Sequence, residues 1–128
     1  MRLSCIHISG TEAKGRGVFT ERFIEAETII EVAPVIMIPA SQKEFIDKTV
    51  LYDYYFNWSE DDEVIAIALG FASIYNHSYE PNCRYLTYYE DQKIEIITLR
   101  DIQPGEELTF NYNWEPEDRT QLWFNVIK

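Results

Sequence analysis

The stretch that most narrows the choice of fold is Ile74-Tyr75-Asn76-His77-Ser78-Tyr79-Glu80-Pro81-Asn82-Cys83, directly after the apolar run Val64-Ile65-Ala66-Ile67-Ala68-Leu69. It sets an amide, an imidazole, a hydroxyl and a second amide against hydrophobic chain and stops at Pro81. Polar groups carried into an interior must be hydrogen-bonded. Such a segment therefore holds either a ligand or a neighbouring strand. An Asn/Ser/Pro turn would use the same residue types, so the segment by itself leaves both readings open.

The rest of the chain reads mostly as short strands. Ser4-Cys5-Ile6-His7-Ile8 alternates and is ended by Ser9-Gly10-Thr11. His7 is a strand residue on this reading, since no second metal-type residue sits nearby. Thr28-Ile29-Ile30-Glu31-Val32 and Val35-Ile36-Met37-Ile38 form two strands broken by Pro34. Ser41 and Glu44 have capping-box spacing, which predicts a short helix from Ser41 to about Lys48. Leu51-Tyr52-Asp53-Tyr54-Tyr55-Phe56 is dense in aromatics, suited to core packing or to lining a channel. Glu60-Asp61-Asp62-Glu63 reads as a solvated turn, lacking the glycine and further ligands of a calcium loop. Arg84 to Tyr89 and Lys93 to Arg100 form a hairpin around Glu90-Asp91-Gln92, with Ile94 and Ile96 inward and Glu95 outward. Pro104-Gly105 marks a turn before Glu106-Glu107-Leu108-Thr109-Phe110-Asn111-Tyr112. A mainly β fold with one or two short helices follows.

Composition excludes several classes. A length of 128 residues suits one domain with a real core, and 46% apolar content argues against disorder. No run approaches the roughly 18 apolar residues of a membrane span, and the first residues have no signal-peptide core. A soluble intracellular protein, cytoplasmic or nuclear, is the expectation. Cys5 and Cys83 are too few for a disulfide framework or a structural zinc site. A net charge of −11 disfavours direct nucleic-acid binding and favours cationic partners such as lysine-rich peptide.

Three pieces then line up in order: Gly15-Arg16-Gly17-Val18-Phe19, Asn76-His77-Ser78 with Pro81-Asn82-Cys83, and Gly105-Glu106-Glu107-Leu108-Thr109-Phe110-Asn111-Tyr112. On these the chain resembles a SET domain, the family of S-adenosylmethionine-dependent protein-lysine methyltransferases, from about residue 5 to 114. Ala68-Leu69-Gly70-Phe71 is similar to the minimal SET enzymes, such as the small viral histone methyltransferase.

The resemblance implies one SET domain over residues 1–128, a β-clip fold of several small sheets with a C-terminal pseudoknot beside the Asn76 segment. It implies S-adenosyl-L-methionine as cofactor, met by the backbone around Lys14, Gly15, Arg16 and Gly17. Asn76 and His77 would bond its amino and adenine ends, and Tyr112 would be the catalytic tyrosine beside it. Tyr54, Tyr85 and Phe110 would line the lysine channel; Tyr85 favours fewer methyls and Phe110 leaves room for more, so the methyl number stays open. Many relatives bind zinc through cysteines after the tyrosine. None follows Cys83 here, so no metal is expected and residues 115–128 would close the site or pack a dimer. Trp123 would cover the cofactor, with Trp114 and Phe124 as alternatives. Likeness to the viral enzyme implies a homodimer.

The implied substrate is a lysine of a histone-tail-like or other basic peptide. Glu106 and Glu107 do not make an acid–base pair, because adjacent strand residues point to opposite faces. The rival class is a catalytically silent SET-like module that binds basic peptide by strand addition. Asn76, His77 and Tyr112 argue against it, since a silent module has no chemical need of them.

Overall fold

The computed structural model describes residues 1–58 and 64–122. Within them lie β1 (Ile6–Gly10), β2 (Arg16–Thr20), β3 (Ile29–Ile38), β4 (Phe56–Asn57), β5 (Ile65–Ala68), β6 (Asn76–His77), β7 (Cys83–Tyr88), β8 (Lys93–Thr98) and β9 (Glu107–Phe110). One sheet has the order β1-β2-β9-β6 and the other β4-β5-β3-β8-β7. The mainly β reading is what the chain adopts. Among the described residues the helical content is a short α1 (Lys43–Ile46) between 3-10 turns at Ala40–Gln42 and Val50–Asp53. Among the described residues no helix is long and apolar enough to cross a membrane.

Strand parity explains the core. On β8, Ile94, Ile96 and Thr98 are buried while the residues between them are partly open, as the alternation predicts. Those isoleucines pack with Val18, Ile30, Ile102, Leu108, Phe110 and Tyr75 in one cluster shared by both sheets.

Three local expectations are corrected. Pro34 does not split β3, which runs unbroken from Ile29 to Ile38. It sits where the strand changes partner, the last residue paired to β8 before Val35 begins the pairing to β5. A proline is tolerated at such a handover because its missing N–H interrupts neither ladder. Ser41 does not cap a helix: it lies inside a 3-10 turn, and neither that turn nor α1 has a side-chain N-cap bond. Pro39, in the extended conformation, takes the N-cap position two residues before Ser41, so the box does not form. Ser9 and Gly10 do not end β1 but belong to it, because Gly10 still pairs with Arg16.

The pairing that builds the site is parallel, which local sequence cannot specify. Asn76 pairs with Thr109 and His77 with Phe110. Asn82 secures it: its Nδ2 donates to the Glu107 carbonyl at 2.8 Å and its Oδ1 accepts from the Thr109 N–H at 2.9 Å. The C-terminal strand is thus held between β2 and β6, alongside the Asn76 segment, as the pseudoknot requires.

Candidate active site

The turn from β1 into β2 is built by Thr11. Its hydroxyl accepts from the Lys14 N–H at 2.7 Å and donates to the Gly15 carbonyl at 2.9 Å. Gly15 takes φ +72°, which a residue with a side chain would resist, and open space lies where its Cβ would be. Gly17 is buried, and a Cβ there would collide with Glu107 Oε2 and crowd Asn76 Nδ2. The two glycines are therefore a hairpin turn and a close approach at once.

Around Gly17 stands a polar cluster. Asn76 Nδ2 donates to the Arg16 carbonyl at 3.0 Å and to Glu107 Oε2 at 2.7 Å. Lys14 Nζ pairs with Glu107 Oε1 at 2.9 Å. Glu106 faces away and pairs with Arg100 at 2.8 Å, so the opposite-face argument holds for these two carboxylates.

His77 is turned inward and 4% exposed. Its Nδ1 accepts from the backbone N–H of Tyr112 at 3.0 Å. Burial, and after it the Lys14 ammonium, pulls the imidazole pKa down to about 4. A neutral ring is what this bond needs, since a protonated Nδ1 has no lone pair to offer. Ser78 behaves as the plainer reading had it, its hydroxyl accepting from the Glu80 N–H in a local turn at 2.9 Å.

Behind this cluster lies a cavity of about 240 Å³, with Tyr52 to Asn57, Ala72, Ser73, Tyr75, Tyr85, Phe110 and Tyr112 in its wall. The sequence-predicted residues Tyr54, Tyr85, Phe110 and Tyr112 all face it. Tyr85 packs edge-on to Phe56 and Phe110, and Phe110 stacks on Tyr75 with ring centres 5.3 Å apart. The Tyr112 hydroxyl donates to the Tyr75 carbonyl at 2.6 Å. Burial, first among the causes, pushes the Tyr112 phenol well above its ordinary pKa, and burial does the same for Tyr85. Both stay protonated at neutral pH. Cys83, pushed up to about 12 by burial, is an unreactive thiol.

Two groups of predicted residues thus meet at one residue. Lys14, Gly15, Arg16, Gly17 and Asn76 gather on one side and the aromatic cavity on the other, with Tyr112 tied to both by His77 and Tyr75. Trp123 and Phe124 lie outside the described residues, as does the Glu60-Asp61-Asp62-Glu63 run. Trp114 lies across Arg84, 5.1 Å from ring centre to guanidinium. His7 stacks on Phe19 as a strand residue. Sequence reasoning passed over Tyr75 and the binding side of Glu107, while Phe56 belongs to the aromatic run read as suited to a channel. The parity of β9 was the available signal for Glu107, because it shares a face with Thr109, which pairs with Asn76.

Comparison with known proteins agrees with this geometry. Residues 15–113 match the family model for the SET domain. A histone-lysine N-methyltransferase of Schizosaccharomyces pombe, H3 lysine-37 specific, is 38% identical over 122 residues, covering 94% of this chain and 78% of that protein. Human histone-lysine N-methyltransferase 2B is 38% identical over 111 residues, covering 81% of this chain and 4% of that protein. In fold, the crystal structure of a candidate histone methyltransferase from Plasmodium falciparum superposes with a TM-score of 0.63 at 23% identity, covering 84% of this chain and 96% of that one. By the extent of the family match and the Schizosaccharomyces pombe relative, the chain belongs to the SET-domain family and is a protein-lysine methyltransferase.

Proposed function

We propose that the chain transfers methyl from S-adenosylmethionine to a lysine amine of a basic protein, with a histone H3 tail as the first substrate to test. The observation that carries this reading is the position of Tyr112, whose ring walls the cavity while its backbone N–H is held beside the polar cluster. The specificity of the Schizosaccharomyces pombe relative supports the choice of histone H3.

The residues present fit the cofactor. Its amino-acid end needs a cation for the carboxylate and oxygen acceptors for the ammonium. Lys14 supplies the first; Glu107, the Asn76 amide and the Arg16 carbonyl supply the second. Gly15 and Gly17 leave the backbone open to close approach. Bound there, S-adenosylmethionine supplies an electrophilic methyl on a sulfonium. The Nδ1 of His77 accepts from Tyr112, so the backbone of His77 is the part offered to the cofactor.

The protein's part is positioning and desolvation. Aromatic walls disfavour the lysine ammonium and so favour the neutral amine that attacks. Tyr112 does not take the amine's proton, because its own phenol is protonated and already donates to Tyr75. Its side chain, in the cavity wall, instead orients the amine. The amine's proton leaves to water, which reaches the cavity wall where Tyr54 is 36% exposed.

The test is mass spectrometry of purified histones and of lysine peptides incubated with the chain and labelled cofactor. A gain of methyl on one or a few lysines of H3 is expected. A histone-negative result with methylation of another basic protein would move the substrate and keep the chemistry. No label on any protein, with the cofactor bound, would overturn the reading.

A further inference from the structure

We propose that Glu31 and Tyr75 form a positioning pair that fixes the direction of the Tyr112 hydroxyl. The proposal rests on the role of Tyr112 given above. A β-bulge between Ile29 and Glu31 turns two consecutive residues, Ile30 and Glu31, inward. The Glu31 carboxylate is left 2% exposed. Its Oε2 accepts from the Phe71 N–H at 2.8 Å, and its Oε1 accepts from the Tyr75 hydroxyl at 3.0 Å. Gly70, at φ +66°, has no room for a Cβ because Glu31 Oε2 fills the place. The turn from β5 toward β6 is therefore folded around this one carboxylate.

Tyr75 carries the position onward. It is 1% exposed and pinned at three points: its phenol by Glu31, its ring by Phe110, and its carbonyl by the Tyr112 hydroxyl at 2.6 Å. Rotation of Tyr75 about its backbone would swing that carbonyl and the phenol of Tyr112 with it. A buried carboxylate is a poor source of stability, because apolar replacements of buried charges are often neutral or stabilising. Burial raises the Glu31 pKa, opposed by the Phe71 N–H, the Tyr75 hydroxyl, Arg2 and the N-terminal ammonium. Holding geometry at a reacting centre is a use for which such a group is suited, since small misplacements there are costly.

Tyr75→Phe removes only the hydroxyl that reaches Glu31 and keeps the ring and carbonyl; Glu31→Gln is the second variant. Each is measured for kcat and KM with a lysine peptide, cofactor affinity by calorimetry, thermal midpoint, and the ¹³Cζ resonance of Tyr112. Either single variant should lower kcat about tenfold, the scale of a modest misalignment, with KM and cofactor affinity held. The double variant should be no worse than the singles, and the Tyr112 resonance should shift in each. A pair that merely stabilises the fold would lower the thermal midpoint and leave kcat and the Tyr112 resonance of the folded protein at wild-type values. That outcome overturns the proposal. If the wild-type chain methylates nothing, the substrate chemistry fails separately, and the Tyr112 resonance alone decides the positioning.

Discussion

The Tyr112 hydroxyl donates to the Tyr75 carbonyl at 2.6 Å, and the same residue's N–H is taken by His77. One residue is thereby held at its backbone and at the tip of its side chain by groups on the segment preceding β7. Tyr112→Phe keeps the backbone bond and loses the oxygen. Turnover should fall by about 100-fold or more, as for a positioned catalytic group, while calorimetry shows cofactor affinity unchanged; undiminished turnover would remove the hydroxyl from the reaction. His77 gives a pH signature. The unfolded chain protonates it near 6.5 and the folded chain near about 4. The unfolded state therefore binds more protons in that window, so stability is full above about 6.5 and is lost as pH falls toward about 4. In His77→Asn, whose side chain can still accept from Tyr112 but does not titrate, thermal midpoints between those pH values should decline less steeply than in the wild type.

At the scale of elements, the site is a set of strand encounters. β2 brings Gly17 against the Asn76 side chain from β6 and Glu107 from β9, and Asn82 holds β9 in register. Gly17→Ala would press on the ends of two side chains that can yield, so the fold should survive with a midpoint lowered by only a few degrees. The yielding groups belong to the polar cluster. Calorimetry should therefore report cofactor affinity weakened by about tenfold or more, whereas wild-type affinity would exclude this cluster from cofactor binding. Much at this scale was legible beforehand. The β7–β8 hairpin follows from the isoleucine alternation, and its register of Tyr88 against Lys93 leaves Tyr89 to Gln92 in the turn. Pro34 and Ser41 were misjudged because both rules treat one chain segment alone, whereas the partner change at Pro34 depends on two other strands.

Across the whole molecule, a net charge of −11 sets a field that favours the approach of a basic chain, the substrate class proposed above. The attraction is long-range, so salt should weaken it. Raising ionic strength from roughly 0.05 M to roughly 0.5 M should lower kcat/KM for a lysine-rich peptide several-fold through KM, with kcat held. An uncharged peptide around a single lysine should show little change. If both peptides respond alike, the charge has no part in recruiting substrate.

The order of residues along the chain determined the strand parities and the family resemblance that gathered Gly15, Gly17, Asn76, His77, Tyr85, Phe110 and Tyr112. These are properties of neighbours a few residues apart, or of motifs read whole. Only the tertiary structure decided that a bulge turns Glu31 inward, that Glu107 rather than Glu106 meets Lys14 and Asn76, and that the His77 ring serves Tyr112. Glu31 and Tyr75 stand 44 positions apart, and His77 and Tyr112 stand 35 apart. Partners at that separation are chosen by which strands come to lie side by side, a choice made by burial of the whole core and not by any local pattern.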